Sequence, residues 1–284
     1  MDYIKPNDVL KNMVAIGDAK AGLGAKDILL RGALSGALLG ISTSLAFTAT
    51  LQSIPLVGAL VFPIGFVMIV LLGFELVTGS FALVPLAALD GRRSWGKVFS
   101  NLTGVFVANL IGSVAYGALL YIVLTNCGSD APIASGIGPK IVAAAEAKTI
   151  AYAAHGTAGM VTVFVKAVLC NWMVCFGAVM ALTSHSTLGK IVAAWLPIFV
   201  FFAQGFEHSV VNMFLIPTGM LLGAKVSFGD WWVWNQIPVT LGNVLGGLLF
   251  TGLFLYWTYS PVRKTQMAPA VVTPPNAFEE PIGA

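Results

Sequence analysis

Charged residues are scarce in this chain. Asp, Glu, Lys and Arg make up 10% of the 284 residues, whereas hydrophobic residues make up 57% and the mean hydropathy is +0.88. A soluble domain has about 25% charged residues. The scarcity of charge therefore excludes an ordinary soluble protein and indicates an integral membrane protein.

Residues that carry most enzymatic and redox chemistry are also few. The three cysteines cannot all pair into disulfides, and with the three histidines they form no metal-ligand motif. The sequence shows no phosphate-binding loop and no nucleophile–base pair. Its basic residues do not form the concentrated tract that nucleic-acid binding requires. We therefore expect no enzymatic activity, no cofactor, no metal and no nucleic-acid partner.

Long apolar segments dominate the chain instead. A membrane-spanning helix needs about 20 apolar residues. Six segments reach this length with little or no charge: roughly 32–53, 56–89, 98–126, 158–184, 191–224 and 232–260. The second and fifth segments are much longer than one span, which favours helices broken in the middle. The sequence predicts an all-α integral membrane protein with six transmembrane helices.

The distribution of basic residues predicts the orientation of these spans. Most Lys and Arg residues lie before the first segment or after the second, fourth and sixth. Basic loops stay in the cytoplasm, so both termini should be cytoplasmic in a multi-pass protein of the cell membrane. We expect no cleavable signal peptide, because the first apolar run begins near residue 28 and further spans follow.

Three regions follow from this organisation. We expect residues 1–26 to form a cytoplasmic amphipathic segment, although its first half could also be a solvated arm. Residues 27–260 should form the six-helix channel domain. The proline-rich residues 261–284 should form a disordered cytoplasmic tail.

The phrase Gly-Phe-Glu occurs twice, at Gly73 and at Gly205, and a proline follows each glycine after twelve residues. Further matches keep the same order: FPIGF with LPIFV, RGALSG with KAVLCN, and ANLIG with GNVLG. The matches predict two repeats of three spans, residues 27–126 and 156–260. Three spans is an odd number, so the repeats should be inverted. Inverted repeats with broken helices place a transport site near the bilayer midplane.

Each copy of the phrase puts a carboxylate, Glu75 or Glu207, into an apolar run, where charge is costly. Gly73 and Gly205 weaken the helix beside them. A half-helix that begins after a break presents unpaired N–H groups, which a nearby side-chain acceptor can bind. We therefore favour a structural role for both glutamates at helix breaks. Direct contact with the substrate is the alternative.

Polar residues near the breaks suggest an anion site. Half-helices that begin near residues 78 and 208 would present positive N-terminal dipoles to a small anion. Thr78 supplies a hydroxyl there, or only a helix cap, and His208 supplies an imidazole at a depth where ionisable residues are functional by default. Asn212 and Asn243 could donate hydrogen bonds to an oxyanion or could bridge helices.

Four segments resemble the signature sequences of the formate/nitrite transporter family: GFELVTGS (73–80), LCNWMVC (169–175), FAQGFEHSVVNMFLIPTG (202–219) and IPVTLGN (237–243). The resemblance implies an aquaporin-like homopentamer embedded in lipid, with one small-anion pore in each protomer. It makes His208 the central histidine and Thr78 its partner. It also makes Asn212 and Asn243 pore asparagines, and it places four residues at the constrictions: Phe62, Leu76, Val174 and Phe201.

The resemblance also implies a lysine before the fourth span that draws anions into the outer vestibule. An ungapped count back from Asn171 reaches His155, whereas an insertion would restore the match to Lys148. We choose Lys148 and keep His155 as the alternative.

These observations predict a channel or transporter for the small anions of weak acids. Formate is the leading candidate, with proton-linked permeation at His208. Nitrite and hydrosulfide are alternatives within the family. A cation-coupled transporter that uses Glu75 and Glu207 is a further alternative, which helix N-termini directed at the site would disfavour.

Overall fold

A computed structural model describes residues 2–130 and 136–260, and within these ranges the chain is helical with no β-strand. The all-α prediction is confirmed, whereas the predicted tail, residues 261–284, lies outside the described residues. The α-helices are α1 (Pro6–Ala21), α2 (Ala25–Gln52), α3 (Pro55–Val61), α4 (Pro63–Leu72), α5 (Val77–Leu89), α6 (Trp95–Leu124), α7 (Gly138–Ala147), α8 (Ile150–Ala153), α9 (Gly156–Met180), α10 (Thr187–Ala203), α11 (Ser209–Leu221), α12 (Phe228–Trp231), α13 (Ile237–Gly247) and α14 (Phe254–Tyr259). Short π-helical turns join α12 to α13 and α13 to α14.

Within the described residues, five helical stretches are long and apolar enough to cross a membrane: Ala25–Gln52, Pro55–Leu89, Trp95–Leu124, Gly156–Thr183 and Phe228–Tyr259. The predicted fifth segment is divided between α10 and α11, which are apolar but individually shorter. Large apolar side chains such as Leu34, Leu119 and Leu196 are exposed on the outer helices. An apolar exterior of this kind is expected where helices face lipid.

Two breaks interrupt the apolar segments near the middle of the fold. The first lies between α4 and α5, and the second lies between α10 and α11. Gly73 and Gly205 adopt left-handed backbone conformations there, with φ of 66° and 64°. Glycine adopts this conformation without the steric penalty that a Cβ imposes, so each Gly-Phe-Glu phrase turns the chain out of one half-helix.

The half-helices after the breaks form the interior. Nearly every residue of α5 and most residues of α11 are buried. Helix α5 packs against α1, α6, α9 and α13, and α11 packs against α2, α6 and α7. The longer helices pair α2 with α6 and α9 with α13. The N-termini of α5 and α11 are therefore buried and surrounded by apolar helices.

The N-terminal segment is anchored at both ends of α1. Asp2 accepts hydrogen bonds from the Ser184 hydroxyl (2.7 Å) and from the backbone N–H groups of His185 (2.8 Å) and Ser186 (2.7 Å). These bonds, that of Ser184 first, hold the pKa of Asp2 below its usual value. Helix α1 then buries an apolar face, and its last turn carries Lys20 toward the first break.

Candidate substrate pathway

The two breaks bring Thr78 and His208 into contact. Thr78 Oγ1 lies 3.0 Å from His208 Nε2, and both residues are buried. His208 Nδ1 accepts the backbone N–H of Val211 at 3.2 Å and caps α11. Because Nδ1 is an acceptor, we assign the ring proton to Nε2. Nε2–H then donates to Thr78, which leaves the Thr78 hydroxyl proton free for another acceptor.

Apolar side chains surround this pair. The Phe201 ring stacks on the His208 imidazole with centroids 5.7 Å apart, and Phe62 meets Phe201 edge-on at 5.7 Å. Leu76 and Val174 belong to the same buried cluster as both rings. The four predicted constriction residues therefore lie in one buried apolar cluster, and Phe201 of that cluster contacts His208.

Asparagines bind the N–H groups at the two breaks. The Val77 N–H donates to Asn109 Oδ1 at 3.0 Å, and the Ser209 N–H donates to Asn243 Oδ1 at 2.9 Å. Each amide nitrogen bridges two carbonyls: Asn109 donates to Gly32 and Glu75, and Asn243 donates to Ala167 and Glu207. The two breaks are thus joined to neighbouring helices by the same set of contacts.

This arrangement corrects two expectations. The carboxylates of Glu75 and Glu207 do not cap α5 and α11, because asparagines on other helices and the His208 ring reach these N–H groups first. Asn243 has already donated both amide hydrogens and cannot offer one to a passing anion. It takes the helix-bridging role. Asn109 and Asn243 are equivalent positions of the two repeats, as the match of ANLIG (108–112) to GNVLG (242–246) in the sequence indicates.

We expect Asn109→Ala and Asn243→Ala each to lower the thermal stability of the purified protein strongly. Each substitution leaves a buried N–H (Val77 or Ser209) and the carbonyl at the break (Glu75 or Glu207) without these partners, and one unsatisfied buried group costs about 1–3 kcal/mol. Thermal unfolding in detergent measures the effect, with Asn12→Ala on the exposed face of α1 as the control. Wild-type melting of either variant would contradict the role we assign to the two asparagines.

Glu207 accepts hydrogen bonds on both carboxylate oxygens, in a network that we call the Glu207 site. Its Oε2 accepts from Lys148 Nζ and from Asn212 Nδ2, both at 2.8 Å, and its Oε1 accepts from the Tyr152 hydroxyl at 2.9 Å. Asn235 accepts from Asn212 and donates to the Lys148 carbonyl, each at 2.8 Å. The buried charge of Glu207 is therefore compensated on both oxygens.

The two candidates for the vestibule cation lie in different environments. Lys148 contacts Glu207, whereas His155 is exposed at the start of α9. Asn212 lies beside Glu207, and its amide already donates both hydrogens, to Glu207 and Asn235. The expectation that Asn212 donates to a passing anion is therefore corrected in the same way as for Asn243. Nothing in the sequence predicted that Tyr152 belongs to the Glu207 site.

A second network, the Glu75 site, repeats part of this pattern. Glu75 Oε1 accepts from Lys20 Nζ at 2.8 Å, and the Lys20 carbonyl accepts from Asn101 Nδ2 at 2.7 Å. Lys20, Glu75 and Asn101 thus correspond to Lys148, Glu207 and Asn235. Sequence reasoning missed Lys20 and Asn101. A usable signal was present, since Asn101 precedes Asn109 by the same eight residues that separate Asn235 from Asn243.

The two sites determine the charge of the pathway. Each buried carboxylate is paired with a lysine, so neither presents a free negative charge to the Thr78–His208 contact. The groups at that contact are the Thr78 hydroxyl, the His208 ring and two helix N-termini, which carry partial positive charge. Such an arrangement favours an anion or a neutral acid over a cation.

Comparison with known proteins gives consistent results. The model of the family described as "Formate/nitrite transporter" matches residues 7–257. A "Probable formate transporter" of Methanothermobacter thermautotrophicus is 35% identical over 273 residues, which cover 90% of this chain and 97% of that protein.

Two solved structures share the fold. An "FNT family ion channel" superposes with a TM-score of 0.77 at 30% identity, covering 89% of this chain and 99% of that one. A "Pentameric formate channel with formate bound" has a TM-score of 0.65 at 25% identity and covers 83% and 97% of the two chains. Since the family match spans nearly the whole chain, this multi-pass membrane protein belongs to the formate/nitrite transporter family.

Proposed function

We propose that this protein is a channel for the small monovalent anions of weak acids, with formate as its main substrate. The observation that carries the proposal is the buried Thr78–His208 contact between the N-termini of two half-helices, inside an apolar shell. Relatives named as formate transporters and formate channels support the choice of formate.

The chemistry at the centre follows from the hydrogen-bond directions. A bare anion loses its hydration in an apolar constriction, at a high cost in free energy. The Thr78 hydroxyl donates to an oxygen of the substrate, and His208 Nε2–H polarises that hydroxyl. A proton on His208 Nδ1 would face the Val211 N–H, donor against donor. His208 therefore supplies a hydrogen bond, and the permeating proton arrives with the weak acid.

The proposal also covers how the substrate reaches the Thr78–His208 contact and how the protein lies in the membrane. Lys148 and Lys20 attract anions at two opposite mouths, and the neutralised species passes Phe62 and Phe201. The repeats 27–126 and 156–260 form six spans with inverted topology, and both termini lie in the cytoplasm. Five protomers assemble in the cell membrane, each with its own pore; the name of one structural relative describes that protein as pentameric.

Uptake of radiolabelled formate into proteoliposomes tests the function. We expect saturable uptake that increases when the outside solution is made more acidic. Nitrite, hydrosulfide and acetate should each inhibit formate uptake in proportion to their own transport. Nitrite as the best competitor would make nitrite the main substrate. Uptake that requires sodium and does not depend on pH would instead support cation coupling. We do not expect this result, because both glutamates are already paired with lysines and offer no free charge to sodium.

A further inference from the structure

The cations nearest to the two breaks are already neutralised by carboxylates. Lys20 is paired with Glu75 and Lys148 with Glu207, each at 2.8 Å. In both pairs the lysine is the more exposed partner, so it can act on an anion at short range. Each pair as a whole is neutral, however, and two opposite charges nearly cancel at a distance. Attraction of anions over longer distances must come from another charge.

Arg31 and Lys166 are two further cations, at equivalent positions of the two repeats. They begin the matched segments RGALSG and KAVLCN. The Arg31 carbonyl accepts the Glu75 N–H, and the Lys166 carbonyl accepts the Glu207 N–H, both at 3.4 Å. The backbone of each cation is therefore fixed beside the break of its own repeat.

The two residues differ in their charge partners. Arg31 Nη2 lies 3.4 Å from Asp27 Oδ1, one helical turn earlier on α2. The position equivalent to Asp27 in the second repeat is Thr162, whose hydroxyl donates to the Ala158 carbonyl. Among the described residues, Lys166 forms no ion pair. The charge of Lys166 is therefore uncompensated, whereas that of Arg31 is paired.

The Lys166 side chain lies next to the Glu207 site and is partly exposed. Its Nζ lies 5.7 Å from the centre of the Tyr152 ring, and the Tyr152 hydroxyl donates to Glu207 Oε1 at 2.9 Å. A cation–π contact of this kind holds the ammonium without neutralising its charge. Lys166 also lies well inside the membrane-spanning helix α9. Ionisable residues within such helices face the protein interior or a water-filled cavity, because an unpaired charge in lipid is costly.

Resting on the proposed function, we infer that Lys166 is a further residue of the substrate pathway. It supplies a net positive charge beside the Glu207 site, and this charge concentrates small monovalent anions at the mouth that contains Lys148, which we call the α7 side. A cleft with one sign of charge raises the local concentration of the opposite ion. The two mouths are unequal, because the equivalent Arg31 is paired with Asp27.

Formate flux through Lys166→Met, measured in oriented proteoliposomes with entry from the α7 side, tests the inference. Far below saturation and at low ionic strength, we expect the flux to fall about tenfold, the lower end of the range for a charged cleft. At saturating formate the flux should be close to the wild-type value, because the charge acts at the mouth and not at the constriction. The deficit should also shrink in about 1 M salt, where charges are screened within about 3 Å. Unchanged flux at low formate, or an equal loss at saturating formate, would overturn the inference.

Two variants of the residue one turn before Lys166 separate charge from packing. Thr162→Asp supplies the carboxylate that Asp27 supplies to Arg31, so it should lower the flux at low formate as Lys166→Met does. Thr162→Asn has nearly the same shape without the charge, and it should transport like the wild type. If the two variants transport equally well, the charge of Lys166 does not act on the substrate and the inference is wrong.

Chemical modification tests whether position 166 faces the water of the mouth. Lys166→Cys is combined with Cys127→Ser, which removes the exposed cysteine, and is treated from the α7 side with membrane-impermeant methanethiosulfonates. Cys170 and Cys175 are buried and should not react. A trimethylammonioethyl group restores the positive charge and should restore flux at low formate, whereas a sulfonatoethyl group should lower it further. No reaction, or equal effects of the two groups, contradicts the inference. Failure of the proposed function is distinguishable, since the wild type would then show no saturable formate flux.

Discussion

His208→Asn is expected to lower formate flux by up to about tenfold while the protein still folds and assembles. Asparagine is a favourable N-cap residue, so its side chain can accept the Val211 N–H that His208 Nδ1 now accepts. The shorter side chain cannot also reach Thr78. The Thr78 hydroxyl then loses the polarising donor 3.0 Å away.

The expected size follows from that single lost bond. A hydrogen bond between neutral groups contributes about 0.5–1.5 kcal/mol, and about 1.4 kcal/mol in a barrier is a factor of ten in rate. Flux of radiolabelled formate into proteoliposomes measures the change, and size-exclusion chromatography checks the assembly. His185→Asn, on the exposed loop after α9, is the matched control and should transport like the wild type. Wild-type flux in His208→Asn would remove this residue from the pathway.

Lys148→Met is expected to lower both stability and flux. The substitution leaves the Glu207 carboxylate buried without its cation. Removing one partner of a buried ion pair costs about 3–5 kcal/mol, because the remaining charge is uncompensated. Thermal unfolding in detergent and formate uptake measure the two effects. His155→Met, at the competing position, should leave both near the wild-type values.

A double variant separates the structural and electrostatic roles of Lys148. Lys148→Met combined with Glu207→Gln removes the unpaired charge, so we expect part of the stability to return. Flux should remain low, because the cation that we propose attracts anions is still missing. Recovery of flux together with stability would show that Lys148 acts only through the fold.

The apolar spans and their breaks were predictable because their causes are local. Hydropathy alone identifies long apolar runs, and the repeated Gly-Phe-Glu phrase indicates where each break occurs. The left-handed conformations of Gly73 and Gly205 lie at these positions. The contact of Thr78 with His208 could also be predicted from the sequence, since each residue follows the glycine of its own Gly-Phe-Glu phrase by a few positions.

Contacts between distant segments were not predictable in the same way. Glu75 and Glu207 are the predicted capping acceptors because they lie nearest to the breaks in sequence. The observed acceptors are Asn109, which is 32 positions from Val77, and Asn243, which is 34 positions from Ser209. Lys20 pairs with Glu75 across 55 positions. A sequence gives the order of residues along each helix, whereas the approach of separate helices depends on packing of the whole fold.

The central claim is that the Thr78 hydroxyl donates to the substrate at the narrowest part of the pathway. Formate flux through Thr78→Val and Thr78→Ser, measured in parallel proteoliposomes, tests it most directly. Valine keeps the shape and removes the hydroxyl, whereas serine keeps the hydroxyl. The account predicts at least about a tenfold loss of flux in Thr78→Val and near wild-type flux in Thr78→Ser. Equal flux through both variants would contradict it.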